Sequence, residues 1–174
     1  MSEIATMIDG ADLIGAGDGA QQYLTFLLAG EEYGVDILRV QEIKGWDSVT
    51  PIPNTPKYIR GVINLRGTIV PIIDLRLRFN LEQLEYGPTT VVIMLKVVSD
   101  AKQSRTMGIV VDGVSDVYNM PEQQIKPSPD FGTAVETDFV KGLATVNEKM
   151  VIILEIDHIL NARELNAVTS KADT

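Results

Sequence analysis

"YIRGVINLRGTIVPIIDL", Tyr58 to Leu75, lies without gaps over "FVKGLATVNEKMVIILEI", Phe139 to Ile156. Gly61 falls on Gly142, Arg60 on Lys141, Val70 on Val151 and Asp74 on Glu155. The first copy is two apolar runs hinged on Arg66-Gly67, the pattern of a β-hairpin. Upstream, "EEYGVDILRV" from Glu31 resembles "RTMGIVVDGV" from Arg105, and Pro51, Pro53 and Pro56 have counterparts in Pro127 and Pro129. The chain therefore reads as two copies of one β unit, about residues 22–80 and 89–160, joined by the turn-rich "EQLEYGP". Each copy is so small that its core alone is marginal, so the two should share an apolar interface. The expected class is all-β with a few short helices, as two small barrels, packed or intertwined. Whether strands cross between the copies stays open.

Three helical starts punctuate this plan. Asp36 is a candidate cap for a turn carrying Ile37, Val40 and Ile43, Asp74 for "LRLRFN", and Asp157 for a C-terminal helix "HILNARELNAV". Asp112-Gly113 reads as a hairpin turn.

Composition removes whole classes of function. Forty-five per cent hydrophobic residues can fill a core, yet no apolar run approaches the roughly 18 residues of a spanning helix. The first twenty residues hold Glu3, Asp9, Asp12 and Asp18 and no Lys or Arg, the reverse of a signal peptide's basic start. Residues 1–20 are expected to form a flexible acidic leader and 166–174 a flexible tail around a domain at 21–165. Zero cysteines exclude disulfides and thiolate chemistry and suit a reducing cytoplasm. Fifteen basic against 24 acidic residues, a net charge of −9, oppose binding to nucleic acid. A soluble protein without direct membrane insertion, cofactor or metal is expected.

Catalysis finds little material. The one histidine, His158, reads as a helix-start residue at the edge of the core, because no cysteine, second histidine or serine elbow accompanies it. Gly15, Gly17 and Ala20 fit G-x-G-x-x-A, but they precede the first strand and no βαβ unit surrounds them. What remains is surface. Arg66 is either a solvated turn residue or an interface residue. Val40 and Ile43 are either core or contact, with Glu42 facing water. Phe131, in "KPSPDFGT", is a lid on the core or an exposed anchor.

"EEYGVDILRVQEI", "IPNTPKYIRGVINLRGTIVPIIDLR" and "GIVVDGVSDV" together resemble the CheW family of bacterial chemotaxis adaptors, from about Gln22 through the final helix. The resemblance implies two five-stranded SH3-like barrels around a shared core, no catalysis, and two protein partners. These are the cytoplasmic signalling tip of chemoreceptors and the regulatory domain of the chemotaxis histidine kinase, met in membrane-associated arrays. By motif, Ile37, Val40, Glu42 and Ile43 match the receptor-side segment, Arg66 in "NLRG" a receptor-coupling position, and Gly61 the strand that backs it. Lys126 and Phe131 in "IKPSPDF" match a kinase-facing loop. A rival from another class is a small-ligand sensor with its pocket between the barrels.

Overall fold

A computed structural model describes residues 21–47, 49–79, 81, 86–98, 103–127 and 139–160. The proposed leader, the tail, the G-x-G-x-x-A motif and Phe131 lie outside the described residues. Ten strands follow in chain order: β1 (Gln21–Leu28), β2 (Glu31–Asp36), β3 (Val40–Gly45), β4 (Ile59–Leu65), β5 (Thr68–Asp74), β6 (Val91–Val98), β7 (Ser104–Val111), β8 (Gly113–Met120), β9 (Val140–Val146) and β10 (Lys149–Leu154). Two short helices close the copies, α1 (Leu75–Arg78) and α2 (Ile156–Leu160).

The repeat and the sheets do not coincide, because the copies exchange strands. One sheet runs β8-β1-β2-β10-β9 and the other β3-β6-β7-β5-β4. Replacing every strand by its counterpart in the other copy, β1 by β6 through β5 by β10, turns one order into the other. The register obeys the same rule: Ile153 pairs with Gly34 across parallel β10 and β2, and Ile72 with Gly108 across parallel β5 and β7. A bridge after β3, Thr50 to Val62, draws the edges of the second sheet together, and Lys126 to Leu143 does the same for the first.

Apolar runs replace simple alternation because each central strand is buried on both faces. Val91, Ile93, Leu95 and Val97 of β6 enter a core shared by both sheets, while Val92 and Met94 fill the inside of their own sheet. Val151 and Ile153 of β10 do the latter for the first sheet. The shared core, with Phe26, Tyr33, Phe79 and Phe139 among its members, occupies the space where the sensor reading sets a pocket.

Three expectations are corrected. Asp112-Gly113 is not a hairpin turn, since β7 and β8 belong to different sheets and the dipeptide carries the chain across. Asp36 does cap a turn, accepting from the Leu38 amide at 3.0 Å, but the turn is the three-residue 3-10 segment Ile37–Arg39, and Val40 and Ile43 are on β3. Asp157 does not precede its helix; it lies in the first turn of α2, with its carboxylate turned to Arg39 and the Val98 amide.

That last contact has a buried, charge-reversed counterpart. Extended by one residue, the gapless match sets Arg76 on Asp157, and Arg76, fully buried, donates to Asp74 Oδ2 at 2.9 Å and Asp112 Oδ1 at 2.7 Å. Each ion pair thus ties a helix to the link where the chain changes sheets: α2 to the β2–β3 link through Asp157 and Arg39, α1 to the β7–β8 link through Arg76 and Asp112. Burial works against the Arg76 charge, but hydrogen bonding to Asp74 and the two carboxylate charges outweigh it, and its pKa is raised.

Tyr86 donates to Asp74 Oδ2 at 2.8 Å. Burial, with the Asp74 hydrogen bond and charge adding to it, pushes the Tyr86 hydroxyl up to about 12. A raised tyrosine pKa means that the folded state holds its proton more tightly than the unfolded one. Its stabilisation is therefore complete below the ordinary tyrosine pKa near ~10 and is lost as pH rises through about 12. Urea melts in that window should show a steeper alkaline loss of stability for the native chain than for Tyr86→Phe; equal slopes would contradict the assignment.

Candidate partner-binding site

The β4–β5 hairpin is closed by a two-residue turn, Arg66-Gly67, with φ of 51° and 88°. Two positive φ values are what a type I′ turn requires, because its twist matches that of the strands it joins. Glycine adopts them freely, whereas arginine is strained there, at a cost of about 1–2 kcal/mol. Asn64 steadies the turn by accepting the Gly67 amide at 2.8 Å.

The Arg66 side chain is 76% exposed, and its Nη2 lies 3.1 Å from Glu42 Oε2 on β3. Such an exposed pair contributes no more than about 1 kcal/mol, so it orients the guanidinium without accounting for an arginine at a strained position. Behind the pair lies a groove of about 390 Å³ lined by Gln41, Leu65, Arg66, Thr68, Val70 and Thr106. Thr106 Oγ1 donates to Gln41 Oε1 at 2.6 Å across it. Amide and hydroxyl groups and an aimed guanidinium, with Leu65 the accessible apolar side chain, suit a polypeptide that brings carboxylates or carbonyls. Among the described residues that line the groove, none pairs a nucleophile with a base.

The expected receptor-side residues divide between faces. Glu42 pairs with Met94, on the inner face of the second sheet, and joins Arg66. Val40 and Ile43 pair with Leu95 and Ile93 on the opposite face and are half-buried against the shared core. A bulge between Val40 and Glu42 produces this change of face. Ile37 is a correction: at 2% exposure it is a core residue with no surface to give a partner. Its neighbour Leu38 is 71% exposed instead.

Gly61 acts on the backbone. Its φ is 142°, and a Cβ there would collide with the Thr50 carbonyl, so glycine allows β4 to approach the bridge that closes the sheet. Lys126 is exposed at the equivalent bridge of the first sheet, far in sequence from Arg66 and on the other sheet. His158 is exposed on α2 and not packed at the core edge. Sequence reasoning missed the Asp74–Arg76–Asp112 cluster, although the match of Arg76 with Asp157 was a signal that opposite charges stand at equivalent places.

Among the described residues no helix is long and apolar enough to cross a membrane. Residues 22–164 match the family model of the CheW-like domain. Over 152 residues the chain is 47% identical to the chemotaxis protein CheW of Klebsiella aerogenes, covering 87% of this chain and 89% of that one. It is 33% identical to the chemotaxis protein CheW of Rhizobium meliloti, over 86% and 94% of the two chains. The crystal structure of the scaffolding protein TtCheW from Thermoanaerobacter tengcongensis superposes with a TM-score of 0.75 at 34% identity, covering 85% of this chain and 92% of that one. The exchanged sheets, the turn that displays Arg66 and these likenesses lead to one conclusion: the chain belongs to the CheW-like domain family.

Proposed function

We propose that this chain is a non-enzymatic chemotaxis adaptor in the cytoplasm, coupling the signalling tip of chemoreceptors to the chemotaxis histidine kinase. The names of its relatives, chemotaxis protein and scaffolding protein, support the role. The observation that carries it is Arg66, a strained and exposed arginine at the tip of a hairpin whose strands are anchored in two cores. A turn whose backbone is held in this way loses little entropy on binding. In this reading Arg66 and Glu42, with the groove behind them, meet the receptor, and Val40 and Ile43 set the position of β3. Lys126 and Phe131 meet the kinase.

Replacing Arg66 with glycine separates folding from function. Arg66→Gly relieves the positive φ, so stability should hold or rise by on the order of 1 kcal/mol, while affinity for the receptor tip falls by about 1–3 kcal/mol. Calorimetric titration against the receptor tip and against the kinase regulatory domain is the measurement. Lys126→Asp should give the opposite selectivity, weakening the kinase and sparing the receptor. Unchanged receptor affinity in a folded Arg66→Gly protein would overturn the receptor assignment, and loss of both partners in the Lys126 variant would overturn the division of the surface.

A further inference from the structure

Two arginines at the base of the β4–β5 hairpin, the end away from Arg66, have no carboxylate among the described residues to answer them. Trp46 and Tyr86 pack with ring centroids 4.2 Å apart. The Arg60 guanidinium lies 5.5 Å from the Tyr86 ring centre, and Arg78 lies 5.0 Å from that of Tyr58 and 4.5 Å from that of Phe139. The Nε of Arg60 and of Arg78 is buried without an acceptor among the described residues. Neither guanidinium joins an ion pair of the described residues, in a chain with 24 acidic residues against 15 basic ones. Asp74 and Asp112 are close in the fold but are engaged by Arg76.

The other copy makes the contrast. Lys141, the counterpart of Arg60, also lies over a tyrosine, 5.6 Å from the ring centre of Tyr23. Its ammonium donates to the Tyr23 hydroxyl at 3.1 Å and reaches Gln21 Oε1 at 3.5 Å. The same position is satisfied within one sheet and left open in the other. What stays open to a partner is the uncompensated charge of the half-buried guanidinium groups, which a carboxylate supplied from outside answers at the terminal nitrogens.

We propose that Arg60, beside Trp46 and Tyr86, and Arg78, on Tyr58 and the buried Phe139, form a docking surface for an acidic segment of a partner protein. Stacking on the rings fixes the plane of each guanidinium and leaves its edge free for a carboxylate. Arginine beside tryptophan and tyrosine is the combination that dominates protein interfaces. The half-buried rings of Trp46, Tyr86 and Tyr58 favour a peptide, whose apolar atoms cover them, over a bare anion. This surface is at the opposite end of the hairpin from Arg66 and stands independently of the receptor assignment.

Trp46 is the chain's one tryptophan, so its fluorescence reports on this surface directly. The intact protein is titrated with hexaglutamate, hexaglutamine and inorganic phosphate at equal ionic strength. A saturable change with hexaglutamate is expected, weaker at high salt and absent with hexaglutamine. Arg60→Gln and Arg78→Gln should each raise the dissociation constant about tenfold, the loss of one charge-assisted hydrogen bond. The proposal is overturned by a native chain that gives no saturable response to hexaglutamate, or by an Arg60→Gln protein that retains the full response. An equal response to inorganic phosphate would assign the arginines to a free oxyanion and overturn the docking of a protein segment. The comparison of hexaglutamate with hexaglutamine on the native chain decides the matter even where a variant folds poorly.

Discussion

Replacing Arg76 with methionine should cost about 3–5 kcal/mol of folding stability, because it strands the fully buried Asp74 carboxylate and leaves Asp112 without its ion-pair partner. The arginine has no aqueous alternative to fall back on. Its guanidinium is closed in by Asp74 and Asp112 and lies 5.0 Å from the centre of the Tyr86 ring, and its removal leaves the Asp74 carboxylate, 0% exposed, without water to replace it. Arg39→Met at the pseudo-equivalent pair should cost about 1 kcal/mol or less, since Arg39 and Asp157 are 27% and 23% exposed and water can replace part of what is lost. Urea unfolding of the two variants side by side is the check. Equal losses would mean that burial does not separate the pairs, and that the Arg76 cluster is not the lock joining α1 to the point where the chain crosses between sheets.

That crossing marks the boundary of what the sequence could reveal. The repeat was legible because equivalent positions in the two copies face equivalent surroundings: Val70 and Val151 both point into the interior of a sheet, and Gly61 and Gly142 both pass close to a bridging carbonyl. Strand exchange was not, because a hairpin turn and a crossing look alike when each is a polar residue followed by glycine. Arg66-Gly67 turns back on its own strand, while Asp112-Gly113 leads to another sheet, and what distinguishes them is the Asp112 contact to Arg76, far away in the chain. The same limit applies to the candidate site. Arg66 stood out by its place in a greasy hairpin, but its approach to Glu42, and the division of β3 that buries Val40 and Ile43 against one core while Glu42 faces the other way, depend on a bulge that no periodicity announces. Ile37 was misread for a related reason: in a 3-10 turn of three residues, Ile37 and Leu38 point in different directions, and the core takes the first.

Gly61→Ala should destabilise the protein by about 3 kcal/mol, combining strain at a backbone conformation reserved for glycine with loss of the two hydrogen bonds of the adjoining bridge. Those bonds join Thr50 and Val62 in both directions at 2.9 Å, and a methyl group at Gly61 must displace the Thr50 carbonyl that makes one of them. Gly67→Ala is the matched control. Gly67 also has a positive φ, of 88°, but open space surrounds the site of its Cβ, so only the conformational cost of about 1 kcal/mol applies. The pair of variants also separates two ways in which Gly61 could affect receptor binding. If it acts through the fold, the Gly61→Ala protein should show a lower urea midpoint together with weaker receptor binding, and a second change that restores stability elsewhere should recover much of the affinity. A Gly61→Ala protein with the native midpoint and no receptor affinity would instead give the glycine a part in receptor binding that does not run through stability.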